Sequence, residues 1–200
     1  ILVSSMHPGE GKTFTATNMA ALLAQAGRRT LLIDFDLHKP RVHKAVNLER
    51  GVGLSGYLIG KMPWMMAKQE TDIPGLDVLT SGPVPPNASE LVLSERTDEM
   101  LAEARKLYDY VVIDTPPILL ITDALVLMKH VDRALLVTNV KRANARGMRQ
   151  LEDLLGQNNI KHVSMVLNGI VPTRWRYYAS KYAYQYLYSY GYGGYTGYGG

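Results

Sequence analysis

Apolar residues come along this chain in short, nearly unbroken runs. They stand at residues 1–5, 30–34, 110–114 and 134–140, with two further runs at 76–80 and 162–168. The runs are rich in Val, Ile and Leu and do not alternate with polar residues, which is how parallel strands covered on both faces read. Helical patterns fall between them, at 13–26, 94–107, 122–130 and 143–158. The first carries Phe14, Met19, Leu22, Leu23 and Ala26 as its apolar set and stops at Gly27, a C-cap residue. Strand and helix alternate throughout, so the pattern predicts an α/β fold with a doubly wound, mostly parallel sheet and right-handed crossovers. Residues 39–75 have no clear period and are expected to form short helices and loops. After Val171-Pro172 the composition turns to Tyr, Gly and Ser, a low-complexity tail. The division expected is a folded domain over 1–171 and a tail over 172–200.

Composition narrows the classes. The chain is 46% hydrophobic and 20% charged, which suits a globular core. A net charge of +4 is too small to argue nucleic-acid binding, and no nucleic-acid partner is expected. Without cysteine there are no disulfides, thiolate metal sites or iron–sulfur ligands. No apolar run approaches the ~20 residues that span a bilayer. Ile1 already lies within an apolar strand and no initiator Met precedes it, so the chain is read as part of a longer polypeptide.

The densest chemistry lies at the two ends. Pro8-Gly9-Glu10-Gly11-Lys12-Thr13 follows a strand and opens a helix. Its glycines let backbone N–H groups turn toward phosphate oxygens, and the helix N-terminus favours anions. Lys12 is placed to reach β- and γ-phosphates, and Thr13 to offer a hydroxyl to Mg²⁺. Met6 stands where the strict Walker A pattern has its first Gly. Asp34 and Asp36 end the second strand, two apart and on one face of extended chain. Asp114 ends the run Tyr110-Val111-Val112-Ile113 as a Walker B acid. In an open α/β sheet this carboxyl edge is the ligand edge. At the other end, ten of the 13 tyrosines fall in the last 24 residues: Tyr177, Tyr178, Tyr182, Tyr184, Tyr186, Tyr188, Tyr190, Tyr192, Tyr195 and Tyr198. Arg142, Arg146 and Arg149 are spaced to share a helix face, which is read as solvated.

These motifs together resemble a known family. Gly9-Glu10-Gly11-Lys12-Thr13, Leu32-Ile33-Asp34-Phe35-Asp36-Leu37, Val112-Ile113-Asp114-Thr115-Pro116-Pro117 and the tyrosine cluster are similar to the bacterial tyrosine kinases, the cytoplasmic domains of polysaccharide co-polymerases. Pro83-Val84-Pro85-Pro86-Asn87-Ala88-Ser89-Glu90-Leu91 also resembles a loop of that family. The resemblance implies a P-loop NTPase fold with deviant Walker motifs and an ATP- and Mg²⁺-dependent tyrosine kinase. It places Pro8, Gly9, Glu10, Gly11, Lys12, Thr13 and Phe14 around the phosphates. Lys12, Asp34, Asp36 and Asp114 would be catalytic, and Thr13, Asp34, Asp36 and Asp114 would hold Mg²⁺. The ten tail tyrosines would be the phosphoacceptors. Asn168 either touches the adenine, as in related ATPases, or makes a turn before Gly169. The partners implied are other copies in a ring, a membrane-embedded co-polymerase segment or adaptor, and a cognate tyrosine phosphatase. The location implied is the cytoplasmic face of the bacterial inner membrane. His38 stands where the family often has Arg, with Lys39 next. The alternative is a deviant-Walker ATPase of the partitioning or division-site type, but those carry a Lys at the position of His7 and no tyrosine tail.

Overall fold

A computed structural model describes residues 1–170. The tail tyrosines Tyr177 to Tyr198 lie outside the described residues. Residues 1–168 form one compact unit.

The chain runs β1 (Leu2–Ser5), α1 (Lys12–Gln25), β2 (Thr30–Asp34), α2 (Val42–Ala45), α3 (Gly53–Leu58), α4 (Trp64–Ala67), β3 (Gln69–Glu70) and β4 (Leu76–Leu79). It continues through α5 (Ala88–Val92), α6 (Glu95–Leu107), β5 (Tyr110–Asp114), α7 (Asp123–Met128), β6 (Ala134–Asn139), α8 (Ala145–Gln157) and β7 (Val163–Asn168). The seven strands pair in the order β3-β4-β2-β5-β1-β6-β7, all parallel except the short edge strand β3. All six expected strands are present, and the mostly parallel doubly wound sheet is the one expected. Residues 39–75 hold three short helices and β3. The two-residue β3 and the one-turn α5 had no readable period.

Both faces of the central strands are covered, while the edge strand β7 is only partly so. Leu2, Leu31, Ile33, Ile113 and Leu136 pack into one apolar layer. Their neighbours Val3, Leu32, Val112 and Val137 pack into the other. Successive side chains point to opposite faces, so a strand buried on both sides must be apolar at every position.

Helix α1 corrects the sequence reading. Its buried side is Ala16, Thr17, Ala20 and Ala24, while Phe14 and Leu22 are 67% and 65% exposed. The small residues at four-residue spacing form the packed stripe, so helix and sheet approach closely. Of the large residues that dominate the apolar pattern, Phe14 and Leu22 point outward, while Met19 and Leu23 are partly buried against the sheet. Gly27 follows the C-cap Ala26 at φ 78° and returns its N–H to the Ala24 carbonyl, as expected of a helix stop.

A second close approach lies between α3 and the β4 exit. Leu54 and Ser55 donate their N–H groups to Thr80 and Ser81 at 2.7 and 2.9 Å. Gly82 sits at φ 72°, and an added Cβ there would overlap the Val52 carbonyl. Gly82→Ala is therefore expected to cost about 3 kcal/mol or more, from left-handed backbone strain and overpacking. Gly156, in α8 with open space around it, is the converse. Gly156→Ala is expected to add about 0.5–1 kcal/mol. Urea midpoints of the two variants check both signs.

Candidate active site

The phosphate loop leaves the end of β1, the strand flanked by β5 and β6, and delivers the chain into α1. Gly9 and Gly11 take φ 78° and 103°, angles open to glycine. Glu10 is fully buried inside the turn. One of its oxygens accepts the His7 N–H at 2.8 Å and the other the Asn139 N–H at 3.4 Å. The Asn168 amide donates to the Glu10 carbonyl at 2.9 Å. Arg142 donates to the Pro8 carbonyl at 3.0 Å. Two strand ends, β6 and β7, thus stitch the loop in place. Helix α1 has no side-chain cap and no acidic residue in its first turn. Its first N–H groups lack intrahelical partners, and no acid of its own first turn offsets the positive end of the helix. That is a cradle for phosphate.

On the other side of the loop, Lys12 is buried and reaches two acids. Its ammonium lies 2.8 Å from Asp36 Oδ2 and 3.6 Å from Asp114 Oδ1. Burial works against the charged ammonium, but Asp114 and Asp36 outweigh it and hold the Lys12 pKa above the ordinary lysine value. The Thr13 hydroxyl donates to Asp114 Oδ2 at 2.6 Å. Burial pushes the Asp114 carboxyl up to about 6, opposed by Lys12 and the Thr13 hydroxyl. Asp114 Oδ1 is buried without a hydrogen-bond partner. Asp36 also accepts the Lys39 N–H at 2.9 Å.

Asp34 is placed differently. It is fully buried, and its two oxygens accept backbone N–H groups of Asp36 at 3.2 Å and Val42 at 3.1 Å. It braces the turn that presents Asp36. Burial and the neighbouring Asp114 push its carboxyl up to about 7.

Among the described residues no three His, Asp or Glu side chains group as a metal cage. Mg²⁺ seldom asks for one. It keeps several waters and takes one or two carboxylates plus substrate phosphates. The orphaned oxygen of Asp114 beside the Thr13 hydroxyl is a hard-oxygen pair that fits such an ion next to a phosphate cradle.

A cavity of about 410 Å³ opens beside Lys12. Its lining includes Pro8, Gly9, Gly11, Lys12, Thr13, Phe14 and Asp36, as the sequence reading grouped them. It also includes His38, Lys39, Arg41, Pro116, Pro117, Leu120 and Ile121. The Glu10 side chain is not among them. It turns into the protein and shapes the loop, so any contact of Glu10 with a phosphate falls to its backbone N–H. His38 lies 3.1 Å from the buried Asp123. Arg142 was read as one of a helix triad with Arg146 and Arg149, but it precedes α8 and bonds the phosphate loop instead. No local pattern announces a loop residue reaching 134 positions back.

A strand–glycine loop–helix with its lysine between strand-end carboxylates is the nucleotide site of a P-loop NTPase-type domain. A family model described as an AAA domain matches residues 1–168. Tyrosine-protein kinase YwqD of Bacillus subtilis is 41% identical over 169 residues, which is 84% of this chain and 71% of that protein. The kinase domain of Escherichia coli tyrosine kinase ETK superposes with a TM-score of 0.82 at 34% identity, covering 86% of this chain and 68% of that one. The chain belongs to the bacterial tyrosine-protein kinase family. MinD of Pyrococcus horikoshii, solved with Mg-ADP, matches at TM-score 0.67 and 22% identity over 83% of this chain and 68% of its own, and shares the fold alone.

The raised Asp34 carboxyl predicts a pH signature. An unfolded Asp titrates near 3.8 and the folded Asp34 near 7. Between those values the folded state holds the extra proton. The Asp34 contribution to stability therefore falls as pH rises from about 4 to about 7 and levels above. In metal- and nucleotide-free protein, Asp34→Asn should flatten that slope by as much as about 1.4 kcal/mol per pH unit. Denaturation at a series of pH values measures it, and parallel slopes for both proteins would contradict it.

Proposed function

We propose that this chain binds ATP with Mg²⁺ and transfers the γ-phosphoryl group to tyrosines of its own C-terminal run, between copies of the chain. The observation that carries the reading is the Lys12 ammonium set between Asp36 and Asp114, 2.8 and 3.6 Å away, at the mouth of the phosphate loop. The tyrosine run and the family membership support the acceptor. Such a site needs little covalent chemistry, only alignment and charge stabilisation.

In the proposed reaction the phenol oxygen bonds to the γ-phosphorus while the bond to the β,γ-bridging oxygen breaks and ADP leaves. The phenol proton passes to the Asp36 carboxylate and on to solvent. Lys12 leaves its carboxylate contacts for the phosphates and offsets charge on the transferring group. The loop N–H groups and the start of α1 hold the remaining phosphates. Thr13 and Asp114 would hold Mg²⁺, which would supply charge neutralisation to the phosphates. Asp34 acts one step back, by fixing the turn that carries Asp36. Asn168, which bonds the loop at Glu10, marks the side for the base.

The wider setting follows the family likeness. The chain would work as a homo-oligomer, a ring in the complete protein. It would sit at the cytoplasmic face of the bacterial inner membrane beside a membrane-embedded co-polymerase segment or adaptor, opposed by a tyrosine phosphatase. Its task would be control of capsule or exopolysaccharide synthesis and export. Among the described residues no helix is long and apolar enough to cross a membrane.

Mass spectrometry of the purified chain, before and after incubation with ATP and Mg²⁺, tests the reading. Phosphate should appear on the tail tyrosines and vanish in Lys12→Met. Asp36→Asn should slow transfer by about 10²–10⁴-fold. Nucleotide affinity in that variant should hold or rise, because Lys12 is released from its partner. An affinity that falls as far as the transfer rate would make Asp36 a binding group and place the proton acceptor elsewhere.

A further inference from the structure

Arg142 is exposed and makes no ion pair among the described residues. Its guanidinium is turned instead on a backbone carbonyl, with Nη1 donating to the Pro8 oxygen at 3.0 Å. An exposed arginine gains little from such a bond, because water would serve it as well. The loop gains more. The carbonyl of Pro8 and the N–H of Gly9 belong to one trans peptide and point in opposite directions. Holding the carbonyl therefore also fixes where the Gly9 N–H points. Pro8 and Gly9 line the cavity beside Lys12, and Arg142 does not. With the carbonyl turned to Arg142, the Gly9 N–H is turned to the cavity. We propose that Arg142 is a positioning residue for nucleotide: its hydrogen bond holds the Pro8–Gly9 peptide in the orientation that presents the Gly9 N–H to bound phosphate. The inference rests on the nucleotide-binding half of the function proposed above, and assigns to it a residue that lies outside the cavity.

This peptide needs holding. His7-Pro8-Gly9-Glu10 is a Pro-Gly turn sequence, and Gly9 stands at φ 78°. That is the angle of the third residue of a type II turn, about +80°. In the commoner type I turn the same residue has φ of about −90°. The two turns differ chiefly by a flip of the central peptide, which changes ψ of the proline and φ of the glycine. Neither residue resists the flip. Proline fixes only its own φ, and glycine takes either sign of φ. After a flip the Gly9 N–H would face away from the cavity and the Pro8 carbonyl would face into it. A carbonyl oxygen there repels a phosphate oxygen. Local sequence thus allows two loops, one that receives an anion and one that rejects it. A charge-assisted bond from Arg142 favours the first. It is lost in the second, where the carbonyl has turned away.

The arginine is itself tied to the loop. Its backbone N–H bonds the Asn139 carbonyl at 2.8 Å, and the Lys141 N–H bonds the Asn139 side chain at 3.0 Å. The Asn139 N–H reaches one oxygen of the buried Glu10 carboxylate at 3.4 Å, and the His7 N–H reaches the other at 2.8 Å. Glu10 thus joins the turn that carries Arg142 to the residue just before Pro8. The fit is close: a Cβ added to Gly9 would come within 3.2 Å of Arg142 Nη1. The guanidinium also polarises the peptide it bonds, since hydrogen bonds in series strengthen one another. The Gly9 N–H becomes a better donor to an anion on its far side.

The test uses the full-length chain, its dissociation constant for Mg-ATP by calorimetry, and the Gly9 amide followed by NMR on ¹⁵N-labelled protein. In the wild type, ATP should move the Gly9 amide proton downfield as it takes a phosphate oxygen. Arg142→Ala should raise the dissociation constant about tenfold or more, with the urea midpoint unchanged. At saturating ATP its Gly9 amide should show less than half of the wild-type shift. Arg142→Lys can still donate one bond to the carbonyl, and should restore both the affinity and the shift. An unchanged dissociation constant in Arg142→Ala overturns the proposal. So does a weakened affinity with the full Gly9 shift at saturation, which would make Arg142 a source of charge attraction alone. A weakened affinity with a lowered urea midpoint would make it a structural stitch and overturn the proposal equally. Failure of the wild type to bind Mg-ATP would remove the nucleotide reading and this role with it, whereas equal binding by wild type and Arg142→Ala removes the role alone.

Discussion

Lys12 carries its ammonium into a place where burial alone would expel it, and three aspartates keep it there. Asp34 and Asp114 stand at the same register on adjacent parallel strands, about 5 Å apart along the hydrogen-bonding direction. Asp36 follows two residues on. Three buried carboxylates so close cannot all ionise without a counter-charge. The structure divides the problem. Asp36 takes the lysine at 2.8 Å, Asp114 takes a hydroxyl hydrogen bond and a more distant share of the lysine, and Asp34 takes two backbone N–H groups. The elevated Asp34 and Asp114 carboxyls record what is left unbalanced. Surplus negative charge, a buried ammonium and a carboxylate oxygen without a hydrogen bond fit the divalent ion and phosphate chain proposed above.

The sheet order makes this crowding unavoidable. With β1 next to β5, and β5 next to β2, the phosphate loop and both acidic strand ends emerge side by side at one edge. The connections from β1 and β5 then run to opposite sides of the sheet, toward β2 and β6. Such a switch leaves a crevice at the carboxyl ends of the strands. The alanine stripe of α1 lets the helix lie close over β1 and β5 and brings Thr13 within 2.6 Å of Asp114. A bulkier stripe would lift the helix start away from the acid.

Much of this was legible because the physics is repetitive. A strand covered on both faces has to be apolar at each position, so six strands stood out. The acids at strand ends and the glycine loop before a helix carry their roles in their spacing. The remainder depended on tertiary contact. The packed face of α1 was hidden because alanine contributes little to an apolar pattern, whereas Phe14 and Leu22 contribute much and point outward. The helices between residues 39 and 75 span four to six residues, too few turns to show a period. Glu10 reads as a polar loop residue, and only its burial reveals that it shapes the loop. Arg142 joins the site through a contact between the exit of β6 and Pro8, which no local pattern encodes. Asp34 and Asp36 look equivalent in sequence, and their hydrogen bonds separate them: Asp34 braces the turn through two backbone N–H groups, whereas Asp36 holds the Lys12 ammonium.

The proposed chemistry would also change the charge of its own substrate. Three of the four net positive charges lie in residues 172–200. Each phosphotyrosine brings about −1.5 to −2, so two transfers cancel the tail's positive charge and a third inverts it. Before them, the exposed Lys39 and Arg41 at the cavity rim repel the cationic tail, while the carboxylates around Lys12 at its floor attract it. After them, Lys39 and Arg41 attract the tail while the carboxylates of the floor repel it. The balance between rim and floor then decides whether a modified tail lingers or leaves. Because Lys39 and Arg41 are exposed and screened by salt whereas the floor is buried, repulsion from the floor gains weight as ionic strength rises. Higher salt should therefore speed departure of the phosphorylated tail and, by screening the same rim, ease entry of the unmodified one.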